Sequence, residues 1–157
     1  MQWMEHVPAL VQGAEVTAWI TVVSIVLGVL TAFVVGIARV AGPRPVRLLA
    51  LCYTEVIRGT SLMVQLFWFF FALPVLGDLI GVNLRMPAVV AGTAALGLNI
   101  GAYGAEVVRG AVQAVPRAQH EAALALDFTP RQALWRIALP QAIPEMMPTF
   151  SNLAVQN

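Results

Sequence analysis

Three stretches of this chain contain no charged side chain: 23 residues from Val16 to Ala38, 19 from Gly59 to Gly77 and 20 from Met86 to Ala105. A helix rises about 1.5 Å per residue, so roughly 20 apolar residues cross the hydrocarbon core of a bilayer. Each window is long enough to do so. The composition agrees, because 59% of the residues are hydrophobic and only 11% charged, where a soluble domain carries about 25% charged residues. A chain of 157 residues cannot hide that much apolar surface from water, and lipid is the solvent it fits. Beyond Arg136 the sequence turns apolar again from Leu139, is interrupted by Glu145 and stops at Asn157, inside what reads as a fourth span. The expected fold class is all-α: a polytopic membrane protein with three complete transmembrane helices and the start of a fourth.

Several function classes drop out early. The single cysteine, Cys52, has no intrachain partner, which rules out a disulfide scaffold. All nine basic residues are Arg. Without Lys there is no Walker A phosphate loop and no Schiff-base chemistry, so any ATP must be hydrolysed by another chain. Net charge is +1 with no basic block, which argues against a nucleic-acid partner. No nucleophile–base pair or metal-ligand cluster stands out, and no enzymatic activity is expected. The leader from Met1 to Glu15 lacks Arg and so does not read as a signal peptide, which opens with a positive region.

Arg placement sets the expected orientation. With the N-terminus outside, Arg39, Arg44, Arg47, Arg58, Arg109, Arg117, Arg131 and Arg136 all lie inside, and Arg85 alone lies outside. Between the first two spans, Gly42, Pro43 and Pro45 should break any helix. The stretch from Val46 to Ile57 should lie along the interface or lead into the second span. Small residues recur four apart at Gly28, Ala32 and Gly36, and again at Gly97, Gly101 and Ala105, a pattern that lets two backbones approach closely. The aromatic run from Phe67 to Phe71 reads as lipid-facing bulk. Asn99 lies at mid-span, Tyr103 and Glu106 follow it on the same helix face, and Gln65 sits a third of the way into the second span. Two uses fit Asn99, Tyr103 and Gln65 equally: lining a hydrophilic path, or hydrogen bonding between helices. Glu106 and Arg109 are spaced to neutralise each other.

The segment from Arg109 to Arg136 is too polar to span. A short helix is expected from His120 to Leu126, with Ala122, Ala125 and Leu126 on one side. Thr129-Pro130 should break and restart the chain, and a second helix from Arg131 to Ile137 should end at Leu139-Pro140. Such a helix–turn–helix suits insertion into a partner's groove, although a plain interfacial connector is the alternative.

The stretch EAALALDFTPRQALWRIALPQA resembles the EAA loop of ABC importer permeases. That loop reads Glu-Ala-Ala, three residues, Gly, nine residues, Ile, one residue, Leu-Pro. Glu121, Ala122, Ala123, Ile137, Leu139 and Pro140 meet the pattern, and Asp127 stands where the family has Gly. Upstream, TEVIRGTSLMVQLFWFFFALPVLG resembles the polar amino-acid branch (histidine, glutamate, glutamine, arginine and opine type), with Ser61 in place of Pro. AYGAEVVRGAVQAVPRAQHEAA does so too, with Ala118 in place of Gly.

The resemblance implies one permease domain over residues 1–157, a cytoplasmic coupling loop over 109–140, and a location in the inner membrane. It implies a second permease subunit, a cytoplasmic ATPase dimer that holds ATP and Mg, and an extracytoplasmic solute-binding protein. This chain would bind no cofactor of its own. Glu121 would be the loop residue most exposed to the ATPase, with Arg131 and Arg136 flanking it by position. Asp is among the better non-Gly residues at positive φ, which suits Asp127 to the turn. Members of the branch continue through a fifth span, so the chain is expected to be C-terminally truncated. Readings from other classes are an ion channel or small secondary transporter, which would need an intramembrane charged relay, and a non-transporting membrane scaffold.

Overall fold

The first helix, α1 (Trp3–Ala41), ends where the sequence says it must. Gly42 donates its N–H to Ala38 O at 2.9 Å, and Pro43 takes an extended backbone as the N-cap of α2 (Arg44–Arg58). Pro45 does not break a helix here. It sits in the first turn of α2, where the missing N–H has no intrahelical partner to lose. The computed structural model describes residues 3–156, and within them there is no strand. Three stretches are long and apolar enough to cross a membrane: Leu10–Ala41, Leu62–Ile80 and Ala88–Ala114.

The second of these is not one regular helix. It runs as α3 (Leu62–Phe67), a π-helical turn over Trp68–Ala72, and α4 (Leu73–Ile80). Leu73 donates to Trp68 O, five residues back. The same device recurs after α7 (Pro130–Ala133): a π-helical turn over Leu134–Ala138, with Leu139 donating to Leu134 O, leads into α8 (Leu139–Gln156). In both cases a proline follows the leucine, Pro74 and Pro140. A proline cannot donate to the carbonyl four residues back and its ring crowds it. Widening the preceding turn to the five-residue register relieves that conflict without ending the helix. The expectation that Leu139-Pro140 terminates a helix is therefore corrected, because the chain continues helically through it.

The third spanning helix, α5 (Ala88–Ala114), runs parallel to α1. Ser24 bonds to Thr93 O near one end, and Gly36 faces Ala105 and Val108 near the other. Two parallel neighbours require the intervening span to return, which is what three crossings demand. The small residues make this contact possible. A Cβ on Gly28 would sit 2.5 Å from Ile100 Cγ2, one on Gly36 2.6 Å from Val108 Cβ, and one on Gly97 2.6 Å from Leu27 Cδ2. Gly104, outside the expected stripe, joins it against Ala32. Toward the α5 C-terminus the core broadens. Val108, Val112, Leu134, Leu139 and Met146 are buried together, and Phe33 stacks on Phe150 at 5.9 Å between centroids. Outward, α1 presents Val22, Val26, Leu30 and Val34, and the second span presents Phe67, Trp68 and Phe71, an apolar surface suited to lipid.

Gly28→Val should lower the thermal unfolding midpoint in mild detergent, since overpacking costs about 1–3 kcal/mol. Gly92→Ala, where a Cβ meets nothing within 4 Å, should leave the midpoint in place. Equal shifts for the two variants would contradict the close packing of α1 on α5.

Candidate functional site

Two regions gather the residues singled out in the sequence. The first lies along one face of α5. Asn99 and Gln65 are both buried, 5% and 6% exposed, and Asn99 Nδ2 donates to Gln65 Oε1 at 3.3 Å. Gln65 Nε2 donates to Ile57 O at 2.8 Å, and to Thr60 O and Thr60 Oγ1 at 3.3 and 3.1 Å. This one side chain therefore ties the turn between α2 and α3 to the middle of α5. Both amides find partners inside the protein, and that is what makes their burial affordable in an apolar medium. Tyr103, one turn further on, has no hydrogen bond to either amide. It is 37% exposed, and its ring lies beneath the Arg58 guanidinium at 5.4 Å. Tyr53 of α2, which was not singled out in the sequence, donates to Leu98 O at 2.6 Å.

One further turn along the face sits Glu106. The expected pair with Arg109 is present: Nε and Nη2 of Arg109 lie 2.9 and 2.8 Å from Glu106 Oε2. It accounts for only one carboxylate oxygen. The other is paired with Arg39 of α1 and lies 3.7 Å from Arg58 of α2. Arg39 also donates to the buried Thr54 hydroxyl at 3.0 Å. A single carboxylate thus joins α1, α2 and α5. A signal for this was present in the sequence. Arg39, Arg58 and Glu106 each bound a charge-free window, and in a three-span topology those three window ends fall at one membrane face.

The second region is the connection from α5 to α8. Its boundary is later than expected, because α5 continues through Arg109 to Ala114 before Pro116 caps α6 (Arg117–Ala125). Asp127 closes α6 with φ of 58°, the only non-glycine residue at positive φ among those described. Its N–H reaches Leu124 O at 3.0 Å, and that of Phe128 reaches Ala123 O at 3.0 Å. This is a Schellman closure, with Asp127 in the left-handed position that glycine usually holds. Thr129 then opens α7. Its hydroxyl accepts from Gln132 N, and its own N–H is taken by the Gln132 side chain, a complete capping box. Glu121, Ala122, Leu124, Leu126 and Asp127 are exposed, as are Arg131, Arg136 and Pro140. Ala123 and Leu139 are buried and Ile137 is half-buried. The motif therefore divides into a first half exposed except for Ala123 and a second half whose Leu134, Ala138 and Leu139 are built into the α5–α8 core.

Glu106→Gln should destabilise the protein by about 3 kcal/mol, because it leaves partly buried guanidinium groups without their anion. Arg109→Ala should cost about 1 kcal/mol or less, since Arg39 keeps its partner. Unfolding in graded denaturing detergent measures both, and a Glu106→Gln variant as stable as wild type would remove the cluster's structural role.

The pattern of the family described as "Binding-protein-dependent transport system inner membrane component" matches residues 11–157. A protein of Sinorhizobium fredii named "Probable amino-acid ABC transporter permease protein" is 55% identical over 155 residues, covering 99% of this chain and 65% of that protein. The glutamine transport system permease protein of Escherichia coli is 35% identical over 146 residues, covering 93% of this chain and 65% of that protein. The chain thus spans about two thirds of the length of these relatives. Among solved structures, one described as "Crystal structure of an amino acid ABC transporter with histidines" superposes with a TM-score of 0.82 at 32% identity, covering 98% of this chain and 69% of that one. A helical membrane fold, a matching pattern over nearly the whole chain and a shared three-dimensional structure agree: the chain belongs to the family of binding-protein-dependent transport system inner membrane components.

Proposed function

We propose that this chain forms the membrane-spanning pathway of an ATP-binding-cassette importer and moves a polar amino acid or related solute across the cytoplasmic membrane. The observation that carries this reading is the family match over residues 11–157, joined to an exposed α6–α7 hairpin that carries Glu121 and whose second helix opens on a full capping box. The amino-acid class is supported by the names of the relatives. In this reading two permease subunits enclose the path. An extracytoplasmic binding protein delivers the solute, and two cytoplasmic ATPase subunits hold ATP and Mg and perform the hydrolysis. The permease contributes no catalysis of its own.

The N-terminus is proposed to be extracytoplasmic and the hairpin cytoplasmic, on the strength of the eight-to-one Arg distribution. Glu121, Ala122, Leu124 and Leu126 would then face a groove on the ATPase, with Arg131 and Arg136 beside it. Because Leu134, Ala138 and Leu139 are packed with Val108 and Val112 of α5, a push on the hairpin is delivered directly to the spanning helices. Asn99, Gln65 and Tyr103 are proposed to line the path. In the conformation described, the Asn99–Gln65 bond joins α5 to the second span, and an opening motion would part the two amides and present them to the solute.

Asn99→Leu should reduce ATP-driven uptake of radiolabelled glutamine in proteoliposomes by about 10-fold or more, in line with losing a hydrogen bond worth more than 1 kcal/mol. The double variant Asn99→Leu with Gln65→Leu removes both amides and so leaves neither unpaired, while also removing the Gln65 bonds to Ile57 and Thr60, so complex yield is measured beside uptake. It should assemble with the ATPase normally and still fail to transport. Wild-type uptake by the double variant would show that the pair only packs helices.

Glu121→Cys in a Cys52→Ala background tests docking and orientation together. An impermeant thiol reagent should label position 121 in inside-out vesicles and not in right-side-out ones. ATPase binding should protect that position. Labelling from the outer face would overturn the topology, and unprotected labelling would overturn the docking surface.

A further inference from the structure

We propose that Arg58 is a carboxylate-recognition residue, whose guanidinium takes the α-carboxylate of the transported solute where the polar stripe of α5 meets the charged cluster. The proposal rests on the importer function proposed above and names the residue that would select for an acid group.

The three guanidinium groups around Glu106 are not equivalent. Arg39 is committed to Glu106 Oε1 and to the Thr54 hydroxyl. Arg109 takes Glu106 Oε2 through two nitrogens and gives a third to Gln113 Oε1 at 2.6 Å. Arg58 differs. Its approach to Glu106 is 3.7 Å, too long for a hydrogen bond, and among the described residues none accepts from its N–H groups. It is nonetheless held in place. The guanidinium lies over the Tyr103 ring at 5.4 Å, a cation–π contact that leaves its donors free. The side chain is 39% exposed, and Tyr103 beneath it is also accessible. The result is a partly exposed guanidinium with free donors, seated over an aromatic ring.

Its position ties it to the proposed path. Gln65, bonded to Asn99, donates to the carbonyls of Ile57 and Thr60, which bracket Arg58 in the chain. The amide pair therefore fixes the turn that carries the guanidinium. The local charge also calls for an anion. Arg39, Arg58 and Arg109 face Glu106, and even with Glu55 counted on the same helix as Arg58, one positive charge stands without a partner. An unpartnered positive charge here favours an incoming anion and opposes an incoming cation. A carboxylate matches the planar fork with two parallel N–H···O bonds.

The test uses the permease assembled with its ATPase and solubilised without any solute-binding protein, so that selectivity measured is the permease's own. Equilibrium dialysis compares histidine, glutamate, glutamine and arginine with their α-carboxamides. Wild type should bind the acid form of its solute about 10-fold or more tightly than the amide, the strength of a charge-assisted hydrogen bond. Arg58→Gln should abolish that preference by weakening the acid alone, and Arg58→Lys should recover part of it. If Arg58→Gln does not assemble with the ATPase, the Arg58→Lys comparison carries the test, with a selective loss of acid binding required. Equal weakening of acid and amide, a preserved preference in Arg58→Gln, or no binding of any of the four acids by wild type would overturn the proposal. So would displacement of Arg58-dependent binding onto anionic lipid instead of the solute. ATP-driven uptake by the wild-type complex with its binding protein is measured alongside. Its absence for all four acids would sink the importer function itself, whereas uptake with selectivity indifferent to Arg58 would sink only this assignment.

Discussion

Glycine at positions 28, 36, 97 and 101 lets α1 and α5 lie nearly backbone to backbone, and the other elements are positioned by that contact. In lipid there is no hydrophobic force to press helices together, so association depends on close packing and hydrogen bonds. Each of these glycines faces a neighbour at a distance no Cβ tolerates. The contact holds α1 and α5 parallel, brings Arg39 level with Glu106, and leaves Asn99 facing the second span.

The polar groups follow from this frame. Asn99 would be costly in hydrocarbon alone, and Gln65 would be costly without the carbonyls of Ile57 and Thr60. Each satisfies the other across two helices, so their burial ties those helices into one register. Glu106 plays the same part with charge: this carboxylate of α5 is paired with Arg39 of α1 and approached by Arg58 of α2, besides its own neighbour Arg109. Arg58 is the member left with donors to spare, because its contact with the Tyr103 ring is a cation–π one that consumes none of them.

The Leu-Pro pairs at 73–74 and 139–140 show how backbone chemistry shapes the same fold. Proline in a helix usually means a break or kink. Here a five-residue π turn precedes each pair and absorbs the lost hydrogen bond. For the second pair the consequence is mechanical. α7, the π turn and α8 form one continuous helical rod from Pro130, and the exposed first half of the motif, in α6, meets that rod through the turn at Asp127. Asp127, in the left-handed conformation, sets the sharp turn that makes the hairpin.

Sequence alone determined what the solvent imposes and what local chemistry dictates. Charge-free windows named the three spans, because a charge at mid-membrane is too costly to place by accident. Gly42-Pro43 named the break after α1, Thr129-Pro130 named the start of α7, and the spacing from Glu121 to Pro140 named the family. The small-residue stripes showed that some helix would come close, but not which one. Tertiary structure alone decided the pairings. The partner of Asn99 lies 34 residues away in the chain, and Glu106 is shared with arginines from two other helices. Burial of Ala123 beside exposed Ala122 could not be read from two identical side chains. The physical reason is common to all three: periodicity reports which residues share a face, whereas the partner of that face is fixed by how close two backbones can come, and that distance exists only in the folded molecule.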